Sequence, residues 1–378
     1  MGERLIKVAY FIDTIESPSA GTEQQLLMLL NNLDRNRFEP HLICLRDSKW
    51  LKSQSLPFSY DNLNFTKLFS YDFFRFAMEF RKLHKVSKFD IVQTFFTDAN
   101  IAGTIAARLA GCKIIIASRR NSLDRLSGAQ LKMLRFLKRY TTIYLANSKA
   151  IACATAAIEG AGLDRYKTIY NGMYLEKFNE INNEMRTRQR AEWKIADDDT
   201  LIGLTANLRS VKNIDSLIRA AAKLNNDFKK LKFVVVGEGP RREELQGLID
   251  ESGLSTAFKL AGRYSNIVPC LSAFDIGVLC SKAEGFSNSL IEYMAAGLPV
   301  VASDVGGNAE AISHNTTGLI YSLDEPNSLI NALRNLVEDR ALAKSLGEKA
   351  RKEATNKYDV NKYIKNHEEF YIDIIGQR

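Results

Sequence analysis

Short apolar runs alternate with longer amphipathic stretches along most of this 378-residue chain. In the first half, residues 5–12, 40–45, 90–95, 113–117, 142–146 and 167–170 read as strands. Between them, 22–33 repeats Leu26, Leu30 and Leu33 on one helical stripe, and 99–110 is a second helix. Nearly continuous apolar strands separated by helices predict a parallel sheet covered on both faces. The rhythm stops at a polar stretch, 176–199, which ends in Asp197-Asp198-Asp199 and reads as a linker. It then restarts, with strands expected at 201–206, 232–236, 258–260, 275–279 and 299–302. After a basic helix at 342–357, the C-terminal segment is rich in Tyr, Phe and Ile. The expected architecture is α/β: a domain at 1–175, a linker at 176–199, a second domain at 200–355 and a terminal segment at 356–378. Ligands of open α/β sheets sit beyond the carboxyl ends of the strands. Two such sheets facing each other would hold a substrate in the cleft between them.

The densest chemistry lies at 284–310, EGFSNSLIEYMAAGLPVVASDVGGNAE. Glu284 and Glu292 flank a polar turn of Phe286, Ser287 and Asn288. A helix from Asn288 is stopped by Gly297 and Pro299, and a glycine turn follows at Gly306-Gly307. Asn288, Ser289 and Glu292 share one helical face, away from Leu290, Ile291 and Met294. Free N–H groups at a helix start attract phosphate, and a carboxylate one turn on can accept bonds from sugar hydroxyls. The segment therefore reads as a site for a sugar attached to phosphate.

This stretch closely resembles the Glu-seven-Glu signature of retaining glycosyltransferases with the GT-B fold. It is similar to the large family that includes bacterial polysaccharide and lipid-linked-sugar transferases. The resemblance implies two facing Rossmann-like domains and a final helix crossing back to the first. It implies that Glu284 holds the donor sugar, that Glu292 binds ribose, and that backbone N–H groups at Ser289 and Leu290 meet the diphosphate. In Thr205-Ala-Asn-Leu-Arg-Ser-Val-Lys, Lys212 fits the family's lysine that neutralises the leaving diphosphate. Asn207 stands where an arginine is usual, and Arg209 is expected to supply that charge from a shifted position. Gly21 would bring backbone amides to the diphosphate, and the backbone after Gly262, at Arg263, would read the base, commonly uracil. Many relatives carry a histidine after the strand at 113–118. This chain has Ser118-Arg119-Arg120-Asn121, which makes Arg119 and Arg120 the acceptor-side candidates. Asn171-Gly172 matches the family's turn at the end of the first domain, and a tight turn suffices to explain it.

The activity so implied is retaining and metal-independent. It moves a hexose-type sugar from a nucleotide-diphosphate sugar, most often a UDP-sugar, to a glycan or lipid-linked acceptor. No cofactor beyond that substrate is implied. An epimerase or phosphorylase on the same fold is the alternative enzyme, and a basic nucleic-acid binder the alternative of another class. Gly237-Glu238-Gly239-Pro240 is not a dinucleotide fingerprint, because Arg242 takes the place of the third glycine.

Composition narrows the picture further. A hydrophobic share of 46% with 25% charged residues is globular and excludes a disordered chain. No apolar run approaches the roughly 20 residues that span a bilayer. The N-terminus reads as a strand and not a secretory signal, so a cytoplasmic location is expected. Five scattered cysteines predict buried free thiols, and the four histidines lack metal-ligand spacing. The net charge of +8 suits an anionic partner. Nucleic acid is not expected, since no RNA-binding aromatic motif accompanies the basic residues.

Between 65 and 89, aromatic residues interleave with Lys67, Arg75, Arg81, Lys82, Lys85 and Lys88. Phe73, Phe76, Ala77, Phe80 and Leu83 form one helical stripe. A second basic helix, 131–140, lies close in sequence to Arg119, Arg120 and Arg125. Together they raise the expectation of a peripheral enzyme on an anionic membrane surface.

Overall fold

Among the described residues, thirteen strands form two parallel sheets, most of them from the apolar runs. The first sheet holds β1 (Ile6–Ile12), β2 (Phe38–Cys44), β3 (Ser59–Asn62), β4 (Ile91–Thr94), β5 (Ile114–Arg119), β6 (Ile143–Ala146) and β7 (Tyr166–Thr168), in the order β3-β2-β1-β4-β5-β6-β7. The second holds β8 (Thr200–Thr205), β9 (Leu231–Val236), β10 (Phe258–Gly262), β11 (Ile276–Leu279), β12 (Val300–Ser303) and β13 (Leu319–Tyr321), in the order β10-β9-β8-β11-β12-β13. Both are doubly wound, and the strand order reverses between β1 and β4 and between β8 and β11. Those two reversals are the places where an open sheet leaves a crevice for a ligand.

This computed structural model describes residues 4–18, 21–65, 71–123 and 126–377. Ser19, Ala20, Lys67, Phe69 and Arg125 lie outside the described residues. The chain divides into one unit of Met1–Gly172 with Val360–Arg378, and another of Met173–Asp359.

In the first unit the terminal helix Val360–Gly376 joins the core of the sheet. Tyr363, Ile364, Phe370, Tyr371 and Ile374 are buried with Val8, Tyr10, Leu26 and Leu30. The Tyr10 hydroxyl donates to Tyr371 at 3.2 Å, and Tyr371 donates to Gln93 Oε1 at 2.6 Å. This buried polar chain gives the helix one register on the sheet. On the other face, Phe76, Ala77 and Phe80 of the helix Tyr71–Ser87 are buried with Phe11, Phe65 and Phe89, and Phe73 and Leu83 pack beside them. The aromatic stripe is thus core. Tyr71 and Phe74 are the aromatic residues that this helix leaves exposed.

The polar stretch 176–199 is not a linker. Residues Asn183–Trp193 form a helix capped by Asn182, whose side chain accepts from Met185 N. Its charges are internal partners: Arg186 donates to Asp275 at 2.6 Å, and the buried Arg190 donates to Asp275, Ala273 O, Ala196 O and Asp199 O. Hydropathy alone cannot register a charge satisfied inside a fold. Strands β3 and β13 were not expected, because both are short edge strands and the sequence of β3, SYDN, is polar. Four cysteines are buried and free, as expected, but Cys153 is exposed.

Candidate active site

At the reversal of the second sheet, the loop after β8 tightens into a 3-10 turn, Ser210–Lys212, and ends on left-handed Asn213 (φ 52°). The loop after β11 carries Ser281 and Glu284. Lys212 Nζ lies 2.5 Å from Glu284 Oε1, and Ser281 Oγ donates to that same oxygen at 2.5 Å. The two charged side chains keep only 23% and 12% of their surface exposed, so the pair is weakly screened by solvent.

Two glycine turns hold these loops. Gly306 has φ +53°, and a Cβ there would fall 1.8 Å from the Glu284 carbonyl oxygen. Only glycine lets the Gly306-Gly307 turn lie against the backbone that carries Glu284. On the other side, a Cβ on Gly237 would meet Ala206 O at 1.9 Å, and Leu208 N donates to Glu238 O at 3.1 Å. The Gly-x-Gly-Pro segment is therefore a brace for the Lys212 loop.

The helix Asn288–Ala295 is fastened to the end of β8. Tyr293 OH accepts from Thr205 N at 2.6 Å, and Ser289 Oγ donates to Thr205 O at 3.0 Å. Ser287, its N-cap, makes no side-chain capping bond. Leu290 is fully buried. Phe286 is buried against Tyr358, ring centroids 5.4 Å apart. Glu292 is one turn further on, its carboxyl pushed up to about 7 by burial while Lys177 pulls it down. Arg209 and Asn207 are exposed, and no described residue pairs with the Arg209 guanidinium. Gly262 (φ +83°) ends β10 and accepts from Gly237 N at 2.8 Å, followed by exposed Arg263.

The reversal of the first sheet holds a second group. Asp13 follows β1 and accepts from Ala99 N at 2.7 Å, at the start of the helix Thr97–Ala110. Burial pushes its carboxyl up to about 6, against the pull of that N–H. Gly21 opens the helix Gly21–Asn32. Arg119 is buried and bound to the fully buried Glu159 at 2.7 Å, and it also donates to Asn100. Arg120 donates instead to Asn171 Oδ1 at 2.6 Å. Asn171-Gly172 does more than turn the chain: Gln25 bonds Gly172 through both its N–H and its carbonyl, each at 2.8 Å. A Cβ on Gly172 would strike Tyr363 at 2.4 Å.

Family models match both halves of the chain: Glycosyl transferases group 1 over residues 185–353, and Glycosyltransferase Family 4 over residues 19–177. Both halves of the chain thus match glycosyltransferase families, on a GT-B fold. It is 25% identical to the N-acetyl-alpha-D-glucosaminyl L-malate synthase of Bacillus anthracis, a match spanning 55% of this chain and 54% of that one, so about half of that relative's length. It is 26% identical to an Escherichia coli UDP-Gal:alpha-D-GlcNAc-diphosphoundecaprenol alpha-1,3-galactosyltransferase, over 78% of each chain. The Anabaena protein Alr3699/HepE, crystallised with UDP, shares the fold with a TM-score of 0.85 at 20% identity, covering 97% of this chain and all of its own.

The structure brings Lys212 and Glu284 into contact and sets Ser289, Leu290 and Glu292 on the helix that follows. It separates Arg119, whose charge is consumed by Glu159, from Arg120. Sequence reasoning passed over Ser281, Tyr293, Asp13 and Gln25. Tyr293 carried a signal, as a tyrosine within an otherwise apolar helical face. The other three are polar residues next to predicted strands or on a helix, and nothing local marks their partners.

Proposed function

We propose that this protein is a retaining, metal-independent glycosyltransferase. It moves a hexose-type sugar from a nucleotide-diphosphate sugar, first of all a UDP-sugar, to a glycan or lipid-linked acceptor in cell-surface polysaccharide or glycolipid synthesis. The observation that carries this reading is the Lys212–Glu284 contact at the reversal of the second sheet. It supports a division of labour in which cations meet the leaving diphosphate and a carboxylate meets the sugar. The Escherichia coli relative, named for a UDP-linked donor and a diphosphoundecaprenol acceptor, and the UDP in the Anabaena crystal point the same way.

In this mechanism, negative charge grows on the departing diphosphate. Lys212, Arg209 and the N–H groups of Ser289 and Leu290 stabilise it, a form of catalysis that rests on donors fixed before the reaction. Glu284 holds and polarises the donor sugar, and Glu292 accepts from ribose hydroxyls. The acceptor hydroxyl attacks from the face the leaving group departs, helped by a phosphate oxygen. Neither a cofactor nor nucleic acid has a role. Docking of the first unit on the inner face of an anionic membrane belongs to the same reading. Exposed Tyr71 and Phe74, with Arg81, Lys82 and Lys85 on the same helix, support it.

A thermal-shift screen with UDP-, GDP-, ADP- and dTDP-sugars tests the donor. A ligand at about 100 times its Kd stabilises by about 2.7 kcal/mol, and a UDP-sugar is expected to give the largest shift. No shift with any nucleotide sugar would sink the proposal.

A further inference from the structure

A cavity of about 250 Å³ opens at the reversal of the first sheet, lined by Asp13, Phe96, Asn100, Ser118, Arg119 and Arg120 among others. Its two arginines differ in what they meet. Arg119 is matched by Glu159 and lies over the Tyr144 ring at 5.1 Å, so its charge is neutralised inside the unit. Arg120 has no such partner. Its Nη2 donates to the neutral amide oxygen of Asn171, and its Nε is buried with no hydrogen-bond partner. Among the described residues no carboxylate forms an ion pair with it. Glu23 and Tyr363 act on it only at longer range.

Arg120 is half-buried, its Nε fully so, and a cation that loses solvation without a paired carboxylate is stabilised when an anion meets it. The scaffold around Arg120 is built to keep it in place. Gln25 clamps the backbone of Gly172 on both sides, and that clamp sets Asn171, which in turn fixes the guanidinium. The cavity wall carries a second sign of constraint. Phe96 stands at φ 64°, ψ 173°, a conformation suited to glycine, and such strain persists where the surrounding structure imposes it. Asp13, by contrast, is engaged by Ala99 N and by Arg46 at 3.5 Å, and does not neutralise Arg120.

We propose that Arg120 is the anion receptor of an acceptor pocket in the first unit, and that the acceptor carries a phosphate or diphosphate ester there. This deepens the transferase reading above and rests on it. With Nη2 on Asn171, the guanidinium keeps the unpaired Nε–H and its full charge for phosphate oxygens. Arg120 binds and positions the acceptor and takes no part in bond making.

The test uses the full chain with UDP held at about 100 times its Kd, so that the donor site stays filled. Binding of farnesyl diphosphate, farnesol and inorganic diphosphate is measured by calorimetry for the wild type, Arg120→Gln and Arg120→Lys. The expected result is that farnesyl diphosphate binds more tightly than farnesol, and that Arg120→Gln weakens it by about tenfold or more. Arg120→Lys recovers part of that loss, and both variants bind UDP within about twofold of the wild type. Recovery in the lysine variant, with an unchanged melting curve, separates lost recognition from a damaged fold. Unchanged farnesyl diphosphate binding in Arg120→Gln overturns the proposal. Equal weakening of UDP also overturns it, since Arg120 would then be a donor contact. Inorganic diphosphate binding as tightly as farnesyl diphosphate overturns the assignment to the acceptor. A wild type that binds no UDP at all fails the donor reading instead, and that failure is visible before any variant is made.

Discussion

Lys212 Nζ and Glu284 Oε1 stand 2.5 Å apart, and their contact joins the loop after β8 to the loop after β11. The lysine proposed to meet the diphosphate is held by the carboxylate proposed to meet the sugar, with Ser281 on the same oxygen. Each residue therefore keeps the other in position before substrate arrives. Lys212→Ala and Glu284→Gln are each expected to lower kcat by about 100- to 1000-fold. Single-turnover transfer with the donor chosen by the thermal-shift screen measures this. Wild-type rates in both variants would remove the pair from the mechanism.

Gly306 and Gly297 make a controlled comparison. Both have positive φ, but a Cβ at Gly306 would lie 1.8 Å from Glu284 O, whereas one at Gly297 would meet nothing nearer than Arg351 Cδ at 3.7 Å. Gly297→Ala should lower stability by about 1–2 kcal/mol through backbone strain and leave kcat unaffected. Gly306→Ala should lower kcat as well, because the Glu284 backbone must move. Urea melts and initial rates on the two proteins decide it; equal kcat in both would count against the brace.

The buried Arg119–Glu159 pair predicts a stability effect without a recognition effect. Removing one member strands the other charge, so Arg119→Met should cost about 3–5 kcal/mol. The double variant Arg119→Met, Glu159→Leu should recover most of that loss. If the single variant costs under about 1 kcal/mol in a urea melt, the pair is not structural.

Burial lowers His367 from its ordinary 6.5 to about 4, against the Tyr363 carbonyl, which its ring nitrogen meets at 3.0 Å. The native state therefore refuses a proton that the unfolded chain accepts. Stability from this group is complete above about pH 6.5 and falls as pH drops towards about 4, by up to about 3 kcal/mol. Urea melts from pH 7 to pH 4 should show a shallower decline in His367→Gln than in the wild type. Parallel declines would contradict the assignment.

Since Phe76 and Phe80 are core, membrane docking has to use what the helix Tyr71–Ser87 leaves outside. Tyr71→Ser with Phe74→Ser should weaken co-sedimentation with anionic vesicles at low salt while the melting curve stays unchanged. Equal recovery of the wild type on neutral and anionic vesicles, or on neither, would leave a soluble acceptor as the reading.

The order of strands and helices and the two-sheet plan could be read from the chain, because burial of both sheet faces imposes apolar runs at a fixed rhythm. The helix start at Asn288, its stop at Gly297 and the Gly306 turn were equally legible, since each is a local backbone requirement written in one or two residues. The tertiary structure alone decided which charges are free. Arg119 and Arg120 are neighbours of the same type, yet one meets Glu159, forty positions away, and the other meets only an amide. Arg186 and Arg190 lie in a stretch that reads as a linker, yet both bond Asp275, more than eighty positions away. Hydrophobic periodicity reports the average environment of a side chain. An ion pair depends on one distant partner at one distance, and that distance exists only after the chain has folded.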